Sequence, residues 1–118
     1  MAKQNQNTIL LVEDDELYQE AIRDFLSDKY DVVVASSAEE AQKVLSKQLP
    51  DVMLMDINLP GIDGVEMLRR TKADHADLPI IMMTAVDRIP TVVECIKIGA
   101  FDYLAKPCLL YTSDAADE

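Results

Sequence analysis

Several residue types are scarce in this sequence. It has no tryptophan, one histidine and two cysteines among 118 residues. Cys95 and Cys108 are too few for a disulfide framework, and no Cys-x-x-Cys pair or Cys/His cluster indicates a zinc site. No apolar run approaches the roughly 20 residues that cross a bilayer, and the polar residues 1–7 lack the apolar core of a signal peptide. These absences predict a cytoplasmic protein with reduced cysteines.

Positive charge is also scarce. Lys and Arg number 11 against 22 Asp and Glu, which gives a net charge of −11. Because proteins bind nucleic-acid phosphates with Lys and Arg, binding to nucleic acid through this segment is disfavoured. The acidic excess is compatible with a cationic ligand, and equally with charges that only keep the protein in solution.

The length and the apolar content predict one domain. With 49% apolar residues and only three glycines, the chain can bury a core and is not of a disordered or fibrous class. Short apolar segments, read as strands, alternate with helical segments. The strands are predicted at residues 8–12, 30–35, 51–55, 79–84 and 101–105.

The predicted helices have recognisable start signals. Asp15, Ser37 and Asp63 are candidate N-cap residues, and a fourth helix is predicted over about residues 88–98. The third and fourth strands are apolar almost throughout, which is typical of a parallel sheet covered by helices on both faces. We therefore predict a doubly wound α/β domain around a five-stranded parallel sheet.

Apolar residues at helical spacing predict the buried faces of the helices. In the first helix this stripe consists of Leu17, Ala21, Ile22, Phe25 and Leu26. In the fourth helix we expect Cys95 to be buried.

Polar residues stand where the apolar strands end. Glu13 and Asp14 follow the first strand, Asp56 the third, Thr84 the fourth and Lys106 the fifth. In doubly wound sheets the active crevice lies outside the carboxyl ends of the strands, so we expect these five residues at one edge. Three carboxylates so close together repel one another unless a cation joins them.

The residues at this edge match the needs of one kind of chemistry. Oxygen ligands suit a hard cation such as Mg²⁺ or Mn²⁺, and Glu13, Asp14 and Asp56 could bind it together with the backbone carbonyl of Asn58. Lys106 offers a charge, and Thr84 a hydroxyl, to the oxygens of a phosphoryl group. These are the parts required for in-line phosphoryl transfer to a carboxylate.

Four segments in order resemble the receiver domain of two-component response regulators. They are residues 12–15 (Val-Glu-Asp-Asp), 55–64 (Met-Asp-Ile-Asn-Leu-Pro-Gly-Ile-Asp-Gly), 83–85 (Met-Thr-Ala) and 99–107 (Gly-Ala-Phe-Asp-Tyr-Leu-Ala-Lys-Pro). The resemblance extends from about residue 8 to residue 107. It implies a flavodoxin-like topology with strand order 2-1-3-4-5.

The resemblance also implies a role for each site residue. Asp56 would be the phosphoacceptor for a histidine kinase or phosphotransfer protein, with Asp14 as direct metal ligand and Glu13 as its acidic partner. Thr84 and Lys106 would bind the phosphoryl group, and Tyr103 would be the aromatic residue that follows the switch. The fourth helix and fifth strand would carry the signal to an output domain or target protein. No enzyme activity is expected beyond self-phosphorylation and autodephosphorylation.

Other functions make different demands on the sequence. A flavodoxin-like cofactor binder needs a Ser/Thr/Gly-rich phosphate loop after the first strand, where this chain has Glu13, Asp14 and Asp15. An aspartyl-phosphate phosphatase needs a second aspartate at the position of Asn58. A degenerate or truncated receiver that acts only as a protein-binding module remains an alternative, although the Asp56 and Lys106 that a degenerate receiver would lose are present.

The end of the chain departs from the family pattern. A receiver continues into a fifth amphipathic helix, but residues 108–118 have no sustained apolar stripe. They resemble the translation of a transposase sequencing adapter. We therefore expect residues 1–107 to be a receiver domain without its last helix, residues 108–118 to be non-native, and the sheet to lack cover beside the first helix.

Overall fold

Strands and helices alternate strictly along the chain. The computed structural model describes residues 7–59, 61–85 and 89–106, except for the side chains of Ala85, Ile89 and Lys106. The elements are β1 (Asn7–Val12), α1 (Glu16–Leu26), β2 (Tyr30–Ala35), α2 (Ala38–Lys47), β3 (Val52–Asp56), α3 (Gly64–Asp74), β4 (Ile80–Ala85), α4 (Ile89–Ile98) and β5 (Asp102–Lys106). β3, β4 and β5 each begin and end one residue later than the sequence predicts, and β1 begins one residue earlier.

The strands form one parallel sheet. Its order is β2-β1-β3-β4-β5, and each neighbouring pair is parallel. The predicted doubly wound α/β fold and its strand order 2-1-3-4-5 are confirmed. The order reverses between β1 and β3, and in such sheets a crevice opens at this point, outside the carboxyl ends of the strands.

The predicted N-caps start three of the helices. Asp15, Ser37 and Asp63 each accept a hydrogen bond from a backbone N–H two or three residues further on, at 2.9, 3.2 and 2.9 Å. Each cap contributes about 1 kcal/mol. At the start of α2, the Glu40 carboxylate also accepts a hydrogen bond from the N–H of Ser36 at 2.8 Å. It thereby joins the end of β2 to the first turn of α2.

The sheet separates two hydrophobic clusters of unequal size. Side chains alternate along each strand, so that Leu10 and Met53 face one side whereas Leu11 and Leu54 face the other. The larger cluster includes buried residues of α2, α3 and α4. Within the described residues, the smaller cluster has its helical cover from α1 and only five buried members, Ile9, Leu11, Ile22, Leu54 and Met83.

An apolar groove lies on the α1 side of the sheet. It has a volume of about 280 Å³ and is lined by Ile9, Tyr18, Ile22, Phe25, Leu26, Tyr30, Val52, Leu54, Ile81, Met83 and Leu104. Phe25 is 67% exposed and Leu17 is 62% exposed, so their expected burial is wrong, whereas Ile22 is buried. The helical spacing correctly placed Phe25 toward this face, but no described element packs over it.

Two further expectations concern the end of the chain and membrane-spanning helices. The expected absence of the fifth helix and the expected non-native tail concern residues 108–118, which lie outside the described residues. Among the helices that are described, none is long and apolar enough to cross a membrane.

We predict that the 118-residue chain has low conformational stability. If residues 108–118 form no fifth helix, and such a helix normally covers the groove with about four large apolar side chains, roughly 6–12 kcal/mol of burial would be absent, which is comparable with the net stability of a domain. Thermal unfolding and binding of a hydrophobic dye measure this, and an added amphipathic helix after Lys106 should raise the midpoint and reduce dye binding. A cooperative transition with a high midpoint and no dye binding would contradict the prediction.

We also predict that Cys95 is unreactive in the folded protein. It is buried in α4 as a free thiol. Burial raises the pKa of the Cys95 thiol, and the Glu94 and Asp63 carboxylates raise it further, so little of the nucleophilic thiolate is present at neutral pH. In a Cys108→Ser variant, a chromogenic disulfide reagent should react with Cys95 only as the protein unfolds. Rapid stoichiometric reaction under native conditions would show that α4 is not packed as described.

Candidate functional site

The register of the sheet aligns the polar strand ends. Val12 lies opposite Met55, and Asp56 lies opposite Met83. Glu13, one residue beyond Val12, is therefore level with Asp56. Thr84 is one residue further along β4 than Met83 and pairs with Ala105. The polar residues thus gather at the carboxyl edge because parallel strands of matched register end together.

Three carboxylates meet at this edge. Glu13, Asp14 and Asp56 each offer an oxygen, and these oxygens all lie within 4.8 Å of one another. Glu13 is fully buried and Asp56 is 4% exposed, whereas Asp14 is exposed. A compact set of oxygen ligands, open to solvent on the side of Asp14, fits a hard divalent cation. The predicted convergence of the three carboxylates is present.

Local hydrogen bonds hold two of these carboxylates in place. Glu13 Oε2 accepts a hydrogen bond from the N–H of Asp15 at 3.0 Å. Asp56 Oδ1 accepts one from the N–H of Asn58 at 3.1 Å. Each bond joins a side chain to the backbone N–H two residues further on. The start of the loop after each strand therefore orients the carboxylate that precedes it.

The other predicted site residues lie on β4 and β5. Thr84 is buried, with 1% of its surface exposed, whereas Tyr103 is 40% exposed. Lys106 pairs with Ala85 at the end of β5, and its side chain lies outside the described part of the structure. The backbone therefore brings Thr84 and Lys106 to the same edge as the carboxylates, and their roles stay predictions.

Gly64 lies beside the site but was not singled out from the sequence. A Cβ at this position would lie 2.3 Å from the Asp56 carbonyl oxygen and 2.6 Å from the Ile57 Cα. The N–H of Gly64 donates to the Ile57 carbonyl at 2.7 Å. The first turn of α3 thus packs directly on the backbone of Asp56. The available signal was a glycine just after the N-cap Asp63, where most other residues favour a helix more.

Gln19 is a second residue that the sequence did not single out. Its side chain lies against the backbone of Glu13, with Nε2 2.5 Å from the Glu13 carbonyl oxygen. Nothing in the local sequence distinguishes it from the other polar residues of α1, because the contact depends on how the helix lies over the end of β1.

Comparison with known proteins gives the family. Residues 9–112 match the model of the response regulator receiver domain. This chain belongs to the receiver domain family. Its relatives include the response regulator FleR of Pseudomonas aeruginosa, 38% identical over 84% of this chain and 21% of FleR. Another is the response regulator MprA of Mycobacterium leprae, 37% identical over 86% of this chain and 45% of MprA. The receiver domain thus spans less than half the length of these relatives.

Solved structures agree with this assignment. The receiver domain of NtrX from Brucella abortus is 30% identical, with a TM-score of 0.81 over 92% of this chain and 96% of that one. The receiver domain of the sensor histidine kinase PA1611 from P. aeruginosa is 35% identical, with a TM-score of 0.77 over 86% of each chain. The PA1611 structure has a magnesium ion coordinated in its active-site cleft.

We predict that Gly64→Ala destabilises this receiver domain more than Gly61→Ala. The new methyl group at position 64 would collide with the backbone of Asp56, and such overpacking costs about 3 kcal/mol. At Gly61 the space is open and the cost is only that of its φ of +75°, about 1 kcal/mol. Urea unfolding measures both variants. Equal midpoints for wild type and Gly64→Ala would refute the close approach.

Proposed function

We propose that this receiver domain is a phosphoacceptor switch in which Asp56 takes a phosphoryl group from the phosphohistidine of a histidine kinase or phosphotransfer protein. The observation that carries the proposal is the placement of Asp56. It is a buried carboxylate at the end of a central strand, and one of its oxygens lies within 4.8 Å of an oxygen of Glu13 and of one of Asp14. Such clustering of like charges has no benefit for stability and indicates a functional site.

A divalent cation, Mg²⁺ or Mn²⁺, is part of the proposal. Glu13, Asp14, Asp56 and the backbone carbonyl of Asn58 would hold it. Bound there, it would offset the negative charge of the carboxylates and of an incoming phosphoryl group. The magnesium ion in the related PA1611 receiver domain supports this assignment.

The proposed transfer is an in-line displacement at phosphorus. A carboxylate oxygen of Asp56 forms a bond to the phosphorus as the bond from phosphorus to the histidine nitrogen breaks, and the released imidazole takes a proton from solvent. The N–H of Asn58, bonded to Oδ1, orients the carboxylate during the attack. Attack of water on the aspartyl phosphate returns Asp56 and inorganic phosphate, so the domain resets without turnover of another substrate.

Signal transmission is proposed to follow from the added charge. The Thr84 hydroxyl and the Lys106 ammonium would bind phosphoryl oxygens, and Tyr103 would change position with them. Tyr103 is half exposed on β5, and Val93 and Ile96 are exposed on α4. This surface would contact an output domain or target protein. A receiver that binds partners without being phosphorylated is the second candidate.

The output and the end of the domain are separate proposals. DctD, a transcriptional regulatory protein of P. aeruginosa, is 36% identical to this chain, which covers 23% of it. An output in transcription is therefore our proposal for the full protein.

We also propose that residues 108–118 are non-native, although the family match continues to residue 112. Sequencing intact genomic DNA across these codons is the test, and finding them in the genome would refute it.

We predict that acetyl phosphate with Mg²⁺ phosphorylates the wild-type protein on Asp56 alone. Asp56→Asn should lose all labelling because an amide cannot act as the nucleophile. Asp14→Asn should lower the labelling rate at least about tenfold because a proposed metal ligand is gone. Intact mass spectrometry and acid-labile phosphate measure both effects.

Asp63→Asn is the matched control for these variants. It removes one carboxylate from the same loop region but keeps the N-cap of α3, since Asn caps as well as Asp. Its labelling should equal that of wild type. Equal labelling of wild type and Asp56→Asn would refute the phosphoacceptor assignment. A wild-type protein that binds a kinase but is never labelled would favour the binding-only candidate.

A further inference from the structure

The side chain of Gln19 joins three elements next to the carboxylates. Gln19 lies in the first turns of α1, where its backbone N–H donates to the Asp15 carbonyl at 3.0 Å. Its side-chain Nε2 donates to the Glu13 carbonyl at 2.5 Å and to Ser36 Oγ at 3.2 Å. Because helical side chains lean toward the helix N-terminus, this position in α1 reaches back over the ends of β1 and β2.

The bond to the Glu13 carbonyl constrains two of the three acidic residues. The peptide group between Glu13 and Asp14 is planar, so fixing its oxygen fixes the plane from which the Asp14 side chain departs. The N–H of Glu13 donates to the Ala35 carbonyl of β2 at 2.9 Å. Both backbone polar groups of Glu13 are therefore held, the N–H by β2 and the carbonyl by Gln19.

The second bond anchors Gln19 itself. Ser36, which accepts it, follows β2 directly, and its N–H donates to the Glu40 carboxylate in the first turn of α2 at 2.8 Å. A line of hydrogen bonds thus runs from Glu40 through Ser36 and Gln19 to Glu13. Because Gln19 Nε2 donates to both acceptors, the carboxamide is fixed in one position and links Ser36 to Glu13.

We propose that Gln19 is a positioning residue for the cation site, one that aligns Glu13 and Asp14 with Asp56 through the Glu13–Asp14 peptide. The inference rests on the proposed binding of Mg²⁺ by these carboxylates. Gln19 does not touch the cation. It acts on the backbone that carries two of the ligands, and loss of such outer contacts typically weakens metal binding by roughly 10- to 100-fold.

Gln19→Met is the first test, since methionine has similar length but no donor. Titration calorimetry with Mg²⁺ and with Mn²⁺ should give about tenfold weaker binding than wild type. Gln42→Met, an exposed glutamine of α2, is the matched control and should bind as wild type does. Unchanged affinity in Gln19→Met would overturn the inference.

A metal-free measurement separates positioning from general stability. In wild type the N–H of Asp15 donates to Glu13 Oε2, so its hydrogen exchange reports how firmly Glu13 is held. In Gln19→Met, exchange at Asp15 should accelerate while exchange in β3 stays as in wild type. Equal acceleration at Asp15 and throughout β3 would mean that Gln19 only stabilises the fold, and would overturn the inference.

Gln19→Glu separates positioning by Gln19 from a purely electrostatic effect, because the two predict opposite changes in Mg²⁺ affinity. This variant also tests the inference if Gln19→Met fails to fold. Electrostatics alone predicts tighter Mg²⁺ binding, because the variant adds a negative charge near the site. Loss of the donor, with repulsion between the new carboxylate and the Glu13 carbonyl, predicts weaker binding. Weaker binding supports positioning, and equal or tighter binding overturns it.

The failure of this inference can be told from the failure of the proposed function. If wild type binds Mg²⁺ and Asp14→Asn loses the binding while Gln19→Met retains it, only the role of Gln19 falls. If wild type binds neither Mg²⁺ nor Mn²⁺ and is not labelled by acetyl phosphate, the proposed function falls, and the role of Gln19 falls with it.

Discussion

Repulsion among three carboxylates is the constraint on which the site depends. Oxygens of Glu13, Asp14 and Asp56 lie within 4.8 Å of one another, and two of the three side chains are buried. Left to itself such a cluster would spread apart. It cannot, because Asp56 ends β3 and Glu13 directly follows β1, and the hydrogen-bonded ladder between these two adjacent strands limits their separation. The backbone therefore holds the carboxylates in an arrangement that fits a divalent cation.

The rest of the structure keeps that arrangement rigid from two sides. Below Asp56, the first turn of α3 approaches so closely that only the hydrogen of Gly64 fits against the Asp56 carbonyl. Beside Glu13, β2 and α1 hold the backbone through Ala35 and Gln19. The larger hydrophobic cluster, which includes buried residues of α2, α3 and α4, packs these helices against the sheet that carries the site. The α1 side is less complete, since an apolar groove of about 280 Å³ remains among the described residues.

The sequence predicted much of this because the signals are local. Apolar runs bounded by turn residues marked all five strands, and Asp15, Ser37 and Asp63 marked helix starts through side chains that bond to the nearest free N–H groups. The site residues followed from one rule about the carboxyl ends of parallel strands. The burial of Phe25 and Leu17 was predicted wrongly, because helical spacing shows which residues share a face but not whether another element covers that face.

The sequence alone determined the order of elements, the parallel sheet and the identity of the residues at its carboxyl edge, since each depends on hydrophobic pattern and capping over a few neighbouring positions. Membership of the receiver family was visible in the same four segments, and the comparisons establish it. The tertiary structure decided what lies between elements. The contact of Gly64 with Asp56 and the bridge from Gln19 to Glu13 and Ser36 join residues brought together only by packing. Those distances depend on how α1 and α3 rest on the sheet, which no local pattern specifies.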